Sequence, residues 1–271
     1  MRSRLIIFSL VLIAGLTGCI KRDNSEFSDI PIIESYLRPG DYINMIVTRQ
    51  IPFSDNVSYS DDNIDSLKIT VTHDNEEYIL KPLGEGKYID STLIVAEGER
   101  YDMTFTYNSM TISAFTEIPL KPAGFHQSAT SIYVSRMDST FTSPSGGFVM
   151  PEPLDLTWEN DDASYYIVVV ENLEDSLDPI RDFGDEESRS GMFRKMPTTA
   201  SGIEMRPQEF RYFGHHRIIL YHVLPDYASL YTETTASSQN LTNPSTSIKN
   251  GYGIFTGLNA DTLYLNVLEQ E

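Results

Sequence analysis

Residues 101–107 read Tyr-Asp-Met-Thr-Phe-Thr-Tyr, and apolar side chains alternate with polar ones along the whole stretch. This period of two is typical of a β-strand with one buried face. The same alternation occurs in three further stretches: Ile43-Met45-Val47, Leu67-Ile69-Val71 and Leu154-Leu156-Trp158. Turn-forming residues separate these stretches, as at Pro39-Gly40, Gly84-Glu85-Gly86 and Glu97-Gly98. The sequence therefore predicts a mainly β protein built from antiparallel β-sandwiches.

The second half of the chain contains a different kind of strand. Residues 165–170, Tyr-Tyr-Ile-Val-Val-Val, are apolar at every position, which predicts a central strand buried on both faces. A short helix is expected near 226–237, because Asp226 can cap it and Tyr227 and Tyr231 are four residues apart. Residues 175–202 are rich in charge, Gly and Ser, and we expect them to form a long excursion over the surface.

The length of 271 residues indicates two domains. We expect both to be antiparallel β-sandwiches of the immunoglobulin or fibronectin III kind, the second with the short helix. The predicted segments are a signal peptide at 1–18, a lipidated tether at 19–29, an N-terminal β-sandwich at 30–120 and a C-terminal β-sandwich at 123–271.

The N-terminus carries an export signal. Two arginines precede the apolar run Leu5–Ala14, which is far shorter than the ~20 apolar residues that a membrane-spanning helix needs. The run is followed by Leu16-Thr17-Gly18-Cys19, which resembles the bacterial lipobox. The resemblance implies that Leu16, Thr17 and Gly18 direct cleavage before Cys19. It also implies that Cys19, the only cysteine of the chain, becomes the lipid attachment site.

The net charge of -19 restricts the partners of the protein. A surface this acidic repels nucleic acid phosphates and anionic lipid headgroups. We therefore expect no nucleic acid partner, and we expect the protein to attach to the membrane through the N-terminal lipid alone. The lipobox resemblance implies three acyl chains on Cys19, which is more than the two signals that stable membrane anchoring needs. Lys21 and Asp23 resemble the tether that sends Bacteroidota lipoproteins to the cell surface, although Arg22 stands where an acid is usual. We expect a lipid-anchored protein of the outer membrane that faces the cell surface; the alternative faces the periplasm.

A set of motifs extends over nearly all of the chain after the lipobox. The motifs are Ile30–Glu34, Gly84-x-Gly86-Lys87-Tyr88, Glu97-Gly98-x-x-Tyr101, Ala114–Pro119, Pro225-Asp226-Tyr227, Asn243-Pro244 and Ile248–Gly257. In the last motif, glycines flank Tyr252, which predicts a turn or a close approach between strands rather than a ligand loop. Together the motifs resemble the Bacteroidota outer-membrane lipoproteins called domain of unknown function forty-two forty-nine. The resemblance implies an accessory lipoprotein that acts beside a TonB-dependent transporter, and it implies no chemistry.

The aromatic and cationic residues Tyr212, Phe213, His215 and His216 form the candidate ligand-binding edge. The alternative is that they belong to a strand leading into the core. A metal site is not predicted there, since His215 and His216 point to opposite faces of a strand, and His222 lies roughly 20 Å farther along it. Trp158 alternates with leucines, and we therefore expect it in the core rather than on a sugar-binding platform.

No catalytic residue, cofactor or metal ligand is predicted. The acidic triplet Asp61-x-Asn63-x-Asp65 lacks the glycine and glutamate of a calcium loop, although a calcium site between acidic loops stays open. No hydrolase motif was found. Five Asp-Ser or Asp-Thr pairs resemble the O-glycosylation acceptor of exported Bacteroidota proteins: Asp65-Ser66, Asp90-Ser91, Asp138-Ser139, Asp175-Ser176 and Asp261-Thr262.

These observations favour a non-catalytic accessory or binding protein that captures a peptide or glycan with a TonB-dependent transporter. The alternative is a structural adhesin or surface-layer component that assembles through sheet edges. A hydrolase with loops 175–202 and 210–216 around its site is the least favoured hypothesis.

Overall fold

The computed structural model describes residues 29–50, 62–138, 152–182, 190–232 and 246–270. The predicted lipobox and residues 19–28 of the predicted tether, with Leu16, Thr17, Gly18, Cys19, Lys21 and Asp23, lie outside the described residues. Within the described residues, no helix is both long enough and apolar enough to cross a membrane.

The first half of the chain consists almost entirely of strands. Their bounds are β1 (Pro31–Leu37), β2 (Tyr42–Arg49), β3 (Thr70–His73), β4 (Glu76–Ile79), β5 (Lys81–Gly84), β6 (Lys87–Ile94), β7 (Arg100–Tyr107) and β8 (Met110–Glu117). A single helical turn, α1 (Asp62–Asp65), precedes β3.

The second half adds ten strands, one longer helix and one 3-10 turn to the described part of the fold. The helix is α2 (Pro225–Thr232), and the 3-10 turn is Pro207–Glu209. The strands are β9 (His126–Gln127), β10 (Ser131–Val134), β11 (Met137–Asp138), β12 (Leu154–Thr157), β13 (Tyr165–Asn172), β14 (Arg181–Asp182), β15 (Met192–Arg194), β16 (Gly202–Met205), β17 (Gly214–Val223) and β18 (Tyr252–Glu269).

The long strand β18 joins the two halves into one large sheet. The strand order is β15-β13-β17-β18-β1-β2-β6-β5, and β10 also pairs with β18. Residues 252–257 of β18 run parallel to β1, whereas residues 258–267 run antiparallel to β17. The first and last strands of the described chain are therefore neighbours.

The first hydrophobic core lies between this large sheet and the antiparallel sheet β4-β3-β7-β8. The alternating residues of the sequence supply it: Ile43, Met45 and Val47 from β2, and Tyr101, Met103, Phe105 and Tyr107 from β7. Ile248 and Phe255 also belong to this core, although they lie in the segment predicted as the second domain. Phe255 reaches this core because β18 pairs with β1. Ile248 precedes β18 and lies next to Lys249, which forms an isolated bridge with Ser113 of β8.

The second core lies between the other half of the large sheet and the three-stranded sheet β16-β12-β9. Leu154, Leu156 and Trp158 are buried there, so Trp158 is a core residue. Strand β13 lies between β15 and β17, and its even-numbered residues face this core. Ile167 and Val169 face the opposite side, where α2 packs. The prediction of a central strand buried on both faces is confirmed.

Residues 175–202, predicted as an excursion over the surface, are tied to the sheets at several points. Ile180 is buried and its N–H donates to the carbonyl oxygen of Arg211 at 2.9 Å. Strand β15 pairs with β13, and Thr198 forms an isolated bridge with Tyr166. Within this segment, β15 thus forms an edge of the large sheet and β14 pairs with β11 in a separate two-stranded sheet. Such pairing is possible because backbone groups of polar residues pair as well as those of apolar ones.

The prediction of a mainly β fold with several antiparallel sheets is confirmed. Three strand pairs within the described residues run parallel: β1 with β18, β10 with β18, and β11 with β14. The predicted helix is present, and its described part is Pro225–Thr232. Parallel pairing arises where strands far apart in sequence meet, which local alternation does not report.

Candidate functional site

A cavity of about 450 Å³ lies on the face of the large sheet that is opposite the second core. We call it the Tyr–Arg cavity. Its polar lining consists of phenol and guanidinium groups, and its floor is aliphatic. The lining residues are Arg38, Ile167, Val169, Met192, Phe193, Arg194, Tyr221, Tyr227, Tyr231 and Leu258.

Strand register places the floor residues, Arg194 and Tyr221 on one face of the sheet. In the β13–β15 pair, Arg194 lies opposite Val169, and in the β13–β17 pair, Tyr221 lies opposite Ile167. Opposite residues of paired strands point to the same side of a sheet. Leu258 lies opposite Val223 of β17 and extends this side onto β18. The floor of the cavity therefore belongs to strands that the sheet holds in fixed positions.

One wall of the cavity is formed by tyrosines of α2. Tyr227 and Tyr231 are four residues apart on the helix, and their ring centroids are 5.6 Å apart. Tyr36 of β1 packs edge-on against Tyr227 at 5.7 Å. The Tyr231 hydroxyl donates to the Tyr227 hydroxyl at 3.1 Å. This cluster joins the beginning of the described chain to the helix that precedes β18.

Arg194 lies at the open side of the cavity, on the edge strand β15. Its Cζ atom is 4.5 Å from the centroid of the Tyr231 ring, in cation–π geometry. Its Nη1 donates a hydrogen bond of 3.2 Å to the Tyr231 hydroxyl. Arg38, which supplies the second guanidinium group, directly follows β1 and is exposed. Two cationic groups thus line one cavity of an acidic protein.

The ionisable groups that line the cavity are phenols and guanidinium groups. Burial, followed by the nearby Glu34 carboxylate, raises the pKa of Tyr36 to about 12. Burial and the hydrogen bond from Tyr231 raise the pKa of Tyr227 as well. No carboxylate lines the cavity, and neither Arg38 nor Arg194 forms an ion pair with a carboxylate in the described parts of the chain.

The predicted ligand edge does not form one surface. Phe213 and His216 are 6% and 3% exposed and belong to the interior, whereas the His215 side chain is 74% exposed. Tyr212 is half-buried and forms an isolated bridge with Pro179. The interpretation as a binding edge is therefore wrong for Phe213 and His216. Phe213, which directly precedes β17, belongs to the second core, and His216 lies on the face of β17 that packs against Phe210 of that core. The alternative, a strand leading into the core, holds for these two residues.

The three histidines of β17 do not converge, in agreement with the sequence analysis. His215 Nδ1 and the Glu174 carboxylate are 2.9 Å apart at the surface. His216 packs edge-on against Phe210 at 5.5 Å, and His222 stacks on Tyr166 at 4.7 Å. Each of the three histidine rings thus contacts a different neighbouring residue.

One group of potential metal ligands is present among the described residues. Nitrogen and oxygen atoms of His73, Asp74 and Glu99 lie within 4.8 Å of one another. His73 also stacks on Tyr101, and its Nδ1 is 3.2 Å from the carbonyl oxygen of Arg100. The Asp74 side chain is 81% exposed, as in many acidic turns that hold no ion. We assign no metal to this group.

Comparison of the chain with models of known protein families and with curated proteins yielded no match.

Proposed function

We propose that this protein is a lipid-anchored outer-membrane lipoprotein that binds a ligand without transforming it, as an accessory to a TonB-dependent transporter. The expected cargo is a small nutrient of the peptide or glycan class. The observation that carries the binding role is the Tyr–Arg cavity, with an aliphatic floor, aromatic wall and two guanidinium groups. Ligand sites combine mostly apolar lining with a few placed polar groups in the same way.

The membrane location rests on sequence features alone. The lipobox at Leu16–Cys19 and the tether residues Lys21 and Asp23 support an outer-membrane lipoprotein that faces the cell surface. We also propose that the segments 30–120 and 123–271 are two sandwich units of the immunoglobulin or fibronectin III kind. The two separate cores support this division, with β18 as the shared strand.

Lipid anchoring is tested with Cys19→Ala. We expect this variant to be a folded, soluble protein, because the body of the chain is acidic and carries no other expected anchor. The measurement is the fraction of protein in the membrane pellet, with far-ultraviolet circular dichroism as the check of folding. Retention in the outer membrane would contradict the proposal. Protease shaving of intact cells then distinguishes the surface-facing from the periplasm-facing orientation.

The accessory role is tested by crosslinking in intact cells followed by affinity purification. We expect a TonB-dependent transporter to copurify with the wild-type protein and to be lost with Cys19→Ala, which leaves the membrane. The absence of a transporter from the wild-type sample would overturn the role. Concentration-dependent assembly of the delipidated protein would instead favour the structural adhesin.

A further inference from the structure

We propose that the Tyr–Arg cavity binds a small organic anion with a flat apolar body, held at its charged end by Arg194 and Arg38. The inference rests on the proposed function as a binding protein and names the chemical class of its ligand. It concerns a site on the helix-covered face of the large sheet, away from the Tyr212–His216 stretch.

The cationic end of the site is preorganised. Arg194 contacts both the ring and the hydroxyl group of Tyr231. Because these contacts already restrict the guanidinium group, it loses less conformational freedom when it binds a ligand than an unrestrained arginine would. The bond to Tyr231 uses one of the five N–H donors of the guanidinium, so others can reach a carboxylate or sulfonate. Arg38 lines the same cavity from the end of β1 and supplies a second cation.

Among the described residues, neither of these two cations has a carboxylate partner. Other arginines are matched with carboxylates: Arg100 with Asp102, Arg136 with Asp178 and Glu269, and Arg217 with Glu171. The described residues that line the Tyr–Arg cavity include no carboxylate. A ligand anion supplies the complementary charge that the described lining lacks.

The opposite end of the site fits an apolar body. Ile167, Val169 and Leu258 form an aliphatic floor, and the rings of Tyr227 and Tyr231 stand beside it. Aromatic rings next to an aliphatic surface favour a flat ligand, because both of its faces then find contacts. The volume of about 450 Å³ lies within the usual range for small-molecule sites.

The charge requirement is tested with two probes that differ by one anionic group. The probes are 1-anilinonaphthalene-8-sulfonate and its uncharged relative N-phenyl-1-naphthylamine, titrated by fluorescence against the delipidated protein. One charge-assisted hydrogen bond contributes about 1.5–3 kcal/mol, which corresponds to a factor of ten or more in affinity. We therefore expect the sulfonate to bind at one site at least about tenfold more tightly than the uncharged probe.

Substitutions test whether the two probes bind in the Tyr–Arg cavity. Arg38→Gln combined with Arg194→Gln should reduce sulfonate affinity about tenfold and leave the uncharged probe unchanged. Val169→Trp, which fills the floor, should weaken both probes. The matched control is Arg211→Gln, an exposed arginine outside the cavity, which should change neither. Circular dichroism and urea unfolding confirm that each variant is folded.

Three results would overturn the inference. These are no sulfonate binding by the wild-type protein, equal affinity for the two probes, or full sulfonate binding by the double arginine variant. The outcome is separable from that of the proposed function, because transporter copurification is measured on the wild-type protein without any probe. If the probes do not bind as expected but the transporter still copurifies, the proposed ligand class is refuted and the accessory role stands.

Discussion

Gly253 and Ile33 lie opposite each other in the parallel pair of β18 and β1, and a Cβ atom on Gly253 would collide with the carbonyl oxygen of Ile33. Gly253 also has a φ of 95°, a backbone conformation that residues with a side chain rarely adopt. The glycine-flanked Tyr252 therefore marks a close approach of two strands, as the sequence analysis predicted. This contact joins the two ends of the described chain.

We predict that Gly253→Ala destabilises the protein by more than about 2 kcal/mol, since strained φ and steric overlap add. Gly84→Ala is the matched control. Its φ of 89° is similarly strained, but nothing lies within 4 Å of the added Cβ atom. Urea unfolding of both variants measures the difference, and equal losses of stability would show that the strands do not approach so closely.

A second prediction concerns Asp90, which is 5% exposed in β6. Its carboxylate accepts hydrogen bonds from the backbone N–H groups of Leu93 and Thr92 at 2.6 and 2.8 Å. Burial acts to raise the pKa of Asp90, but the hydrogen bonds from Leu93 and Thr92 outweigh it and the pKa is lowered. Asp90→Ala should cost about 2 kcal/mol at pH 7, because part-buried donors lose their acceptor.

The stabilisation from Asp90 should be present above pH 4 and disappear as the pH falls through the lowered pKa of the folded state. The measurement is the free energy of unfolding in urea at several pH values. Asp161→Ala, in an exposed turn, serves as the control and should change stability by less than about 0.5 kcal/mol. Equal effects of the two substitutions would contradict a structural role for Asp90.

The third prediction is acid sensitivity at His216. Its Nδ1 is 3.0 Å from the carbonyl oxygen of Gly214, and Asn172 Nδ2 donates to its Nε2 at 3.3 Å, which corresponds to a neutral ring. Burial lowers the pKa of His216, although Gly214 and the Glu174 carboxylate act in the opposite direction. Below about pH 6.5 the unfolded chain then binds more protons than the folded one, and stability falls as the pH falls.

We test this by comparing the wild-type protein with His216→Gln between pH 7.5 and 5.5. The stability advantage of the wild-type protein should shrink toward acid pH, because only the wild-type protein must protonate this residue on unfolding. The control is His126→Gln, at an exposed position, which should change stability by less than about 0.5 kcal/mol at pH 7.5. A constant difference between wild type and His216→Gln would refute the prediction.

The fourth prediction uses Trp158, the only tryptophan of the chain. It is 4% exposed, its ring lies 5.6 Å from that of Tyr166, and its Nε1 has no hydrogen-bond partner in the described residues. Fluorescence of the folded protein should be blue-shifted and resist acrylamide quenching until unfolding. Trp158→Ala should cost about 3–5 kcal/mol and Trp158→Phe clearly less, since Phe keeps most of the packing. Strong quenching in the folded state would place Trp158 at the surface.

Short-range patterns predicted several of the longer strands. Ile43, Met45 and Val47 alternate with polar residues, and all three are buried as expected. Tyr101, Met103, Phe105 and Tyr107 behave in the same way. Alternation is a local property, since successive side chains of any strand point to opposite faces. The sequence alone therefore indicated which residues of a strand share a face.

The Tyr–Arg cavity could not be predicted in this way. Tyr36 and Tyr231 come from opposite ends of the chain, and Arg194 comes from a segment that was predicted to be a surface excursion. The nearest sequence signal was the Tyr227–Tyr231 spacing, which indicated a helix and no site. The error at Phe213 and His216 has a related cause, because crowded aromatics do not reveal which face a neighbouring sheet will cover.

The sequence by itself determined that the chain forms strands, where many of them lie, and which alternate residues are apolar. Only the tertiary structure decided that β18 pairs with both β1 and β17, and that Arg38, Arg194 and the tyrosines of α2 meet at one cavity. The physical reason is range: side-chain alternation depends on adjacent residues, whereas strand partners and register depend on contacts between residues distant in the chain.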